Sequence, residues 1–97
     1  MFDIRLTKQA AKDAVSIERA GMKPKAVELL RVVRENPYQN PPEYEKLKGY
    51  NDTYSRRINK QHRLVYQVLP NDEGLKDDNG APFQGIIKII RMWTHYE

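Results

Sequence analysis

The sequence predicts an α+β fold: two helices packed on one face of a small, mainly antiparallel sheet, in the order β-α-α-β-β-β. Three observations predict it. Phe2, Ile4 and Leu6 alternate with Asp3 and Arg5, the period of two expected of a strand with one covered face. Over the next thirty or so residues the apolar positions recur at helical spacing instead. From Tyr54 to Val68 the alternation returns, broken by a short turn, and a final largely apolar strand follows. The 97 residues form a single domain, 1–97, and a chain this short hides only about 60–65% of its unfolded surface, so its core is thin.

Each element has its own local reason. Thr7 is placed to cap a helix from Lys8 to about Ala20, and Gly21 stands where a left-handed stop is usual. The apolar stripe of this helix is light: Ala10, Ala11, Ala14, Val15 and Ile17. A second helix begins near Lys23, with Pro24 tolerated in its first turn. Ala26, Leu29, Leu30 and Val33 follow the i, i+3, i+4, i+7 pattern, and Pro37 ends it. The short link between the two implies an antiparallel helical hairpin that must bury its stripe on the sheet, with Arg31 and Arg34 on the outer, solvated side. Asn36 to Tyr44, with Pro37, Pro41 and Pro42, reads as an ordered loop.

A β-hairpin follows. Tyr54 to Ile58 alternates, Asn59 to His62 turns, and Leu64, Tyr66 and Val68 then share one face while Arg63, Val65 and Gln67 share the other. Leu69-Pro70 stops the second strand. Asn71 to Gly85, an elongated and mobile inter-strand loop on this reading, carries the turn signal Asp77-Asp78-Asn79-Gly80. The last strand, Ile86 to Trp93, is apolar on both sides over much of its length, which predicts an inner rather than an edge position.

Composition narrows the function. Charged residues are 31% against 39% apolar, a globular balance, with a formal net charge of +4 and a pI near 9.4. The distribution of charge is more telling than its sum. Between Lys46 and Arg63 lie six basic residues (Lys46, Lys48, Arg56, Arg57, Lys60 and Arg63) and one acid, Asp52. Basic residues gathered on one hairpin point to a phosphate-facing surface, although a plain solvated face has the same composition. An arginine held in a packed sheet is expected to meet an anion. With no cysteine, disulfides and thiolate chemistry are excluded. No signal peptide and no run of about 20 apolar residues is present, so the expected location is cytoplasmic.

No phosphate-binding glycine loop, zinc motif or serine triad is visible. The ionisable residues available for chemistry are Glu45, His62 and His95, with Lys48, Arg56, Arg57, Arg63 and Tyr96. A metal site would need more carboxylates than this region supplies, so no metal or other cofactor is expected. Acid–base chemistry on RNA is the alternative, because RNA carries its own nucleophile. A base deprotonates the 2′-hydroxyl, which attacks the adjacent phosphorus; an acid protonates the departing 5′-oxygen; arginines stabilise the added charge. Each residue also has a plainer reading. Glu45 is a surface charge, His95 sits in a frayed tail, Tyr96 pins that tail and Arg63 pairs with a structural acid. Arg56 alternates to the other side of its strand from Arg57 and is left outside the site.

The run Glu45-x-Leu47-Lys48, then Ser55-Arg56-Arg57-Ile58, then His62-Arg63-Leu64-Val65-Tyr66, with His95-Tyr96 near the end, resembles the YoeB/Txe toxins of the RelE/ParE superfamily. The resemblance extends over essentially the whole chain. It implies a RelE-like fold and a toxin of a type II toxin–antitoxin system: an mRNA interferase that cuts mRNA in the ribosomal A site. It further implies Glu45 as general base, His95 as general acid, Arg63 as the transition-state arginine and Tyr96 as a residue that stacks on or orients the substrate base. Lys48 and Arg57 would bind phosphate. The implied partners are the ribosome with its mRNA and a YefM/Axe-like antitoxin. An acidic segment that folds on binding would compete with RNA for the same arginines. Family members also form homodimers, which the sequence neither supports nor contradicts.

Two departures from the family stand out: Glu97 follows Tyr96, and the 71–85 loop is longer than expected. A competing reading is a ParE-like poison of DNA gyrase that acts by contact alone. Such a protein has no need of the Glu45, Arg63, His95 and Tyr96 set. A third is an inactive protein that binds RNA or the ribosome in a salt-dependent way.

Overall fold

The computed structural model describes residues 1–93; Thr94–Glu97, and with them His95 and Tyr96, lie outside the described residues. Two helices and five strands follow one another as β1 (Asp3–Leu6), α1 (Lys8–Arg19), α2 (Lys23–Glu35), β2 (Tyr44–Lys46), β3 (Thr53–Arg57), β4 (Arg63–Leu69) and β5 (Ile86–Arg91). The sheet order is β1-β5-β4-β3-β2. Only β1 and β5 run parallel; the other pairs are antiparallel. The strand expected to lie inside the sheet, β5, does so, between β1 and β4.

The helix boundaries follow their capping residues. The Thr7 side chain accepts from the Ala10 amide at 3.0 Å, closing the N-terminus of α1. Gly21, at φ +75°, turns the chain out of that helix in a conformation a side chain disfavours. Pro24 sits in the first turn of α2, where its missing N–H removes no helical bond.

The core lies between the helices and one face of the sheet. Ala10 and Ile17 of α1 and Ala26, Leu29 and Val33 of α2 meet Tyr54, Leu64, Tyr66, Ile87 and Ile89. The light stripe of α1 is lighter than its pattern suggests. Ala11 and Val15 are exposed, while Asp13, only 3% exposed, takes a buried place.

Two further features depart from the sequence reading. Tyr44–Lys46 is a strand rather than the end of a loop and the start of an unassigned run. It pairs antiparallel with β3, Glu45 facing Ser55, and so adds an edge to the predicted hairpin. The second concerns Arg56, which is fully buried and meets backbone carbonyls and a phenol rather than an anion. Its guanidinium donates to Pro37 O (3.0 Å), Pro42 O (2.5 Å) and the Tyr66 hydroxyl (3.0 Å). Carbonyl dipoles solvate the charge here, and the proline-rich loop is fastened to the sheet in return.

The 71–85 segment is organised by two side chains, Asn71 and Asp77. Asn71 donates to Leu75 O and Phe83 O and accepts from the Leu75 amide, with distances from 2.9 to 3.1 Å. Asp77 accepts from the Asn79 and Ala81 amides, and an isolated bridge joins Lys76 to Pro82. At the base of the loop, a Cβ on Gly85 would stand 2.7 Å from Leu69 O and 2.9 Å from the Phe2 ring. A side chain there collides with backbone. No helix among the described residues is long and apolar enough to cross a membrane.

Candidate active site

The register of three strands assembles the site. Glu45 on β2 faces Ser55 on β3, and Arg57 on β3 faces Arg63 on β4. Side chains alternate along strands, so Glu45, Ser55, Arg57 and Arg63 share the face turned away from the core residues Tyr54, Leu64 and Tyr66. They line a groove of about 150 Å³ together with Glu43 and Tyr44. A stretch of β2 only three residues long is what brings Glu45 alongside the arginines.

Within the groove, Arg63 Nη1 lies 2.9 Å from Glu45 Oε1 and donates to Ser55 Oγ at 3.2 Å. The two charged partners are unequally placed: the Arg63 side chain is 18% exposed and that of Glu45 59%. Ser55, itself buried, holds the guanidinium from below, while the carboxylate reaches it from the solvent side. An incoming phosphodiester can take the place of the carboxylate on Arg63. That exchange would leave Glu45 beside the bound anion as an acceptor for a proton.

Of the residues singled out from the sequence, the structure brings Glu45, Arg57 and Arg63 together. Lys48 sits exposed in the turn between β2 and β3 and is not part of the groove lining. Glu43 and Ser55 belong to the groove although neither was among the expected site residues. Both signals were in the alternation: Glu43 is two residues from Glu45, and Ser55 two from Arg57.

Behind the groove the wall is rigid. Arg56 lies 4.8 Å from the centre of the Tyr44 ring, and Tyr54 makes edge-to-face contacts with Tyr38 and Tyr44. The Tyr66 hydroxyl donates to Pro37 O at 2.6 Å. Burial pushes the Tyr66 phenol above its ordinary pKa of 10.0, and the hydrogen bond and charge of Arg56 pull part of the way back. It therefore remains a neutral donor at physiological pH.

The end of β5 is also anchored. Asp13 on α1 accepts from Arg91 Nε at 2.8 Å and from the Met92 amide at 2.9 Å. Arg91 Nη2 donates in turn to Trp93 O at 2.8 Å. The Trp93 ring stacks on His62, with centres 3.8 Å apart and planes 18° from parallel. His62 is buried and immediately precedes Arg63. The chain that continues to His95 thus departs from a fixed point at the start of β4.

Comparison with known proteins agrees with this architecture. Residues 6–96 match the family described as YoeB-like toxins of bacterial type II toxin–antitoxin systems. A "YoeB/ParE toxin from Agrobacterium tumefaciens" superposes with a TM-score of 0.75 at 26% identity, over 98% of this chain and 100% of that one. The YoeB of a YoeB–YefM complex from Staphylococcus aureus is 33% identical, with a TM-score of 0.68 over 99% of both chains. An Escherichia coli DinJ–YafQ complex matches at 17% identity and a TM-score of 0.70, over 98% of this chain and 94% of that one, and so shares the fold. Comparison with curated protein sequences gives no significant match. The fold is that of the RelE-like toxins. The chain belongs to the YoeB-like toxins of bacterial type II toxin–antitoxin systems.

Proposed function

We propose that this toxin is an endoribonuclease that cuts mRNA in the ribosomal A site by acid–base catalysis on the RNA's own 2′-hydroxyl, in which no metal takes part. The observation that carries the reading is the Arg63–Glu45 pair, with Arg57 on the same groove face. Arg63 leaves the Glu45 carboxylate for the scissile phosphate, and Arg57 supports it there. Glu45 takes the proton of the 2′-hydroxyl. The 2′-oxygen attacks phosphorus as the bond to the 5′-oxygen breaks, and His95 gives that oxygen its proton. The products are a 2′,3′-cyclic phosphate and a 5′-hydroxyl. Negative charge grows on the non-bridging oxygens during attack, and a guanidinium fixed nearby stabilises that state more than the ground state. Tyr96 orients the base, and Lys48 would contact phosphate beyond the groove.

Two positively charged side chains and two carboxylates in the groove are few groups for positioning a flexible RNA. The ribosome, holding the mRNA, supplies the remaining orientation. A YefM/Axe-like antitoxin is the proposed neutralising partner, as YefM accompanies YoeB in the Staphylococcus aureus complex. A homodimer is a further proposed state, in line with the YoeB dimer known from that organism. The place of action is the cytoplasm.

Primer extension on a defined mRNA in a purified translation system, with wild type beside His95→Gln, tests the reading. New 5′ ends at A-site codons with wild type and none with the variant are expected. Arrested translation without cleavage would point to ribosome binding alone, and unimpeded translation would return the gyrase alternative.

A further inference from the structure

We propose that Asp13 is a positioning residue for cleavage, holding from helix α1 the end of β5 from which the chain runs on to His95. The inference rests on the reading of His95 as the general acid. Its basis is a carboxylate that is 3% exposed on a helix whose neighbouring buried residues, Ala10 and Ile17, are apolar. A hydrophobic side chain would serve helix packing there. A buried carboxylate is retained at a desolvation penalty unless donors surround it, and the donors around Asp13 come mainly from one place.

Gln9, one turn away on the same helix, donates to Oδ1 at 3.0 Å. The other donors belong to the end of β5: Arg91 Nε at 2.8 Å, Arg91 Nη2 at 3.5 Å and the Met92 amide at 2.9 Å. Arg91 relays the grip one residue further, to Trp93 O. Asp13 thereby fixes main-chain atoms at two successive positions, one directly and one through a guanidinium. The Trp93 ring is then set against His62, next in sequence to Arg63. Two residues of chain span at most about 7 Å, so the position of Trp93 limits where the His95 side chain can be delivered relative to Arg63. Small displacements of a catalytic group lower rates by as much as about 100-fold.

Trp93 is the sole tryptophan, so its fluorescence reports on this anchor independently of activity. The test compares wild type, Asp13→Asn, His95→Gln and the double variant. It measures acrylamide quenching of Trp93 and single-turnover cleavage on ribosomes programmed with a defined mRNA. Asparagine keeps the shape and one acceptor oxygen but loses the charge that holds Arg91. The expected result is greater quenching, a maximal cleavage rate lower by roughly 10- to 100-fold, and half-saturation unchanged within about twofold, because phosphate binding by Arg63 is untouched. In the His95→Gln background the Asp13 change should lower residual cleavage no further.

Unchanged quenching, unchanged cleavage, or an equal loss in both backgrounds would overturn the proposal. Should Asp13→Asn fail to fold, Arg91→Met, at a partly exposed side chain, carries the same expectations. Wild-type cleavage by His95→Gln alone would remove the acid and, with it, the role of Asp13 in cleavage. Trp93 quenching would still show whether the anchor exists, which separates the two failures.

Discussion

Arg56 and Arg63 stand on adjacent strands of one hairpin and point to opposite faces of the sheet. Arg56 is wholly buried, and its partners are two main-chain carbonyls and a phenol. Those partners cannot leave. Arg63 instead meets a serine hydroxyl and a carboxylate whose side chain is more than half exposed. The carboxylate can leave. The first arginine is committed to the proline-rich loop and therefore to stability, while the second holds a pairing that another anion can replace. Burial alone does not make the difference; the exchangeability of the acceptors does.

The largest effect that could break this contrast is Arg56→Met. It takes the Arg56 donor from the Pro42 carbonyl and leaves Pro37 O with the Tyr66 hydroxyl, and a loss of about 3–4 kcal/mol of folding stability in a denaturant titration is expected. A loss below about 1 kcal/mol would show that water readily replaces the guanidinium. Arg63→Ala should behave in the opposite way. Its ion pair with exposed Glu45 contributes at most about 1 kcal/mol to stability, while ribosomal cleavage should fall by roughly 100-fold or more. Rate measurements beside a melting curve separate the two.

Gly85→Ala probes the core side at the opposite end of the sheet. The added methyl meets Leu69 O, which belongs to the backbone of β4, so a loss of about 1–3 kcal/mol is expected, with cleavage by the folded fraction unaffected.

The smallest effect is a pH dependence. Burial raises the Asp13 carboxyl, but bonds from Arg91, the Met92 amide and Gln9 outweigh it and hold the group below its ordinary value of 3.8. Its contribution to stability is therefore complete above about pH 4 and is lost as pH falls through the lowered folded value. The stability difference between wild type and Asp13→Asn should shrink in acid. A difference that stays constant from neutral pH to pH 2 would contradict the charge on Asp13.

Most of the fold was legible because its signals are local. Thr7 and Gly21 bound α1, Pro24 and Pro37 bound α2, and alternation around the Asn59–His62 turn defined the hairpin. Alternation also placed Arg56 opposite Arg57 without the structure. What stayed hidden depends on residues far apart in sequence. β2 is three residues long, too short for a period of two to stand out, and becomes a strand only by pairing with β3. Asp13 looks like one more solvated acid until Arg91 and Met92, almost eighty positions later, come to meet it. Nothing near Arg56 announces that Pro37 O and Pro42 O will receive its guanidinium, and the expectation of an anion there was the natural error. In the site, Glu45, Arg57 and Arg63 stand out by type and strand position, while Ser55 shares the face of Arg57 by alternation but carries no charge to single it out.

Whether RNA is cut through its own 2′-hydroxyl is read from the end groups of the fragments released from a programmed ribosome. A 2′,3′-cyclic phosphate on the upstream fragment and a 5′-hydroxyl on the downstream one are expected, both absent with Arg63→Ala. Fragments ending in a 3′-hydroxyl and a 5′-phosphate would contradict that route, because water rather than the 2′-oxygen would then have attacked.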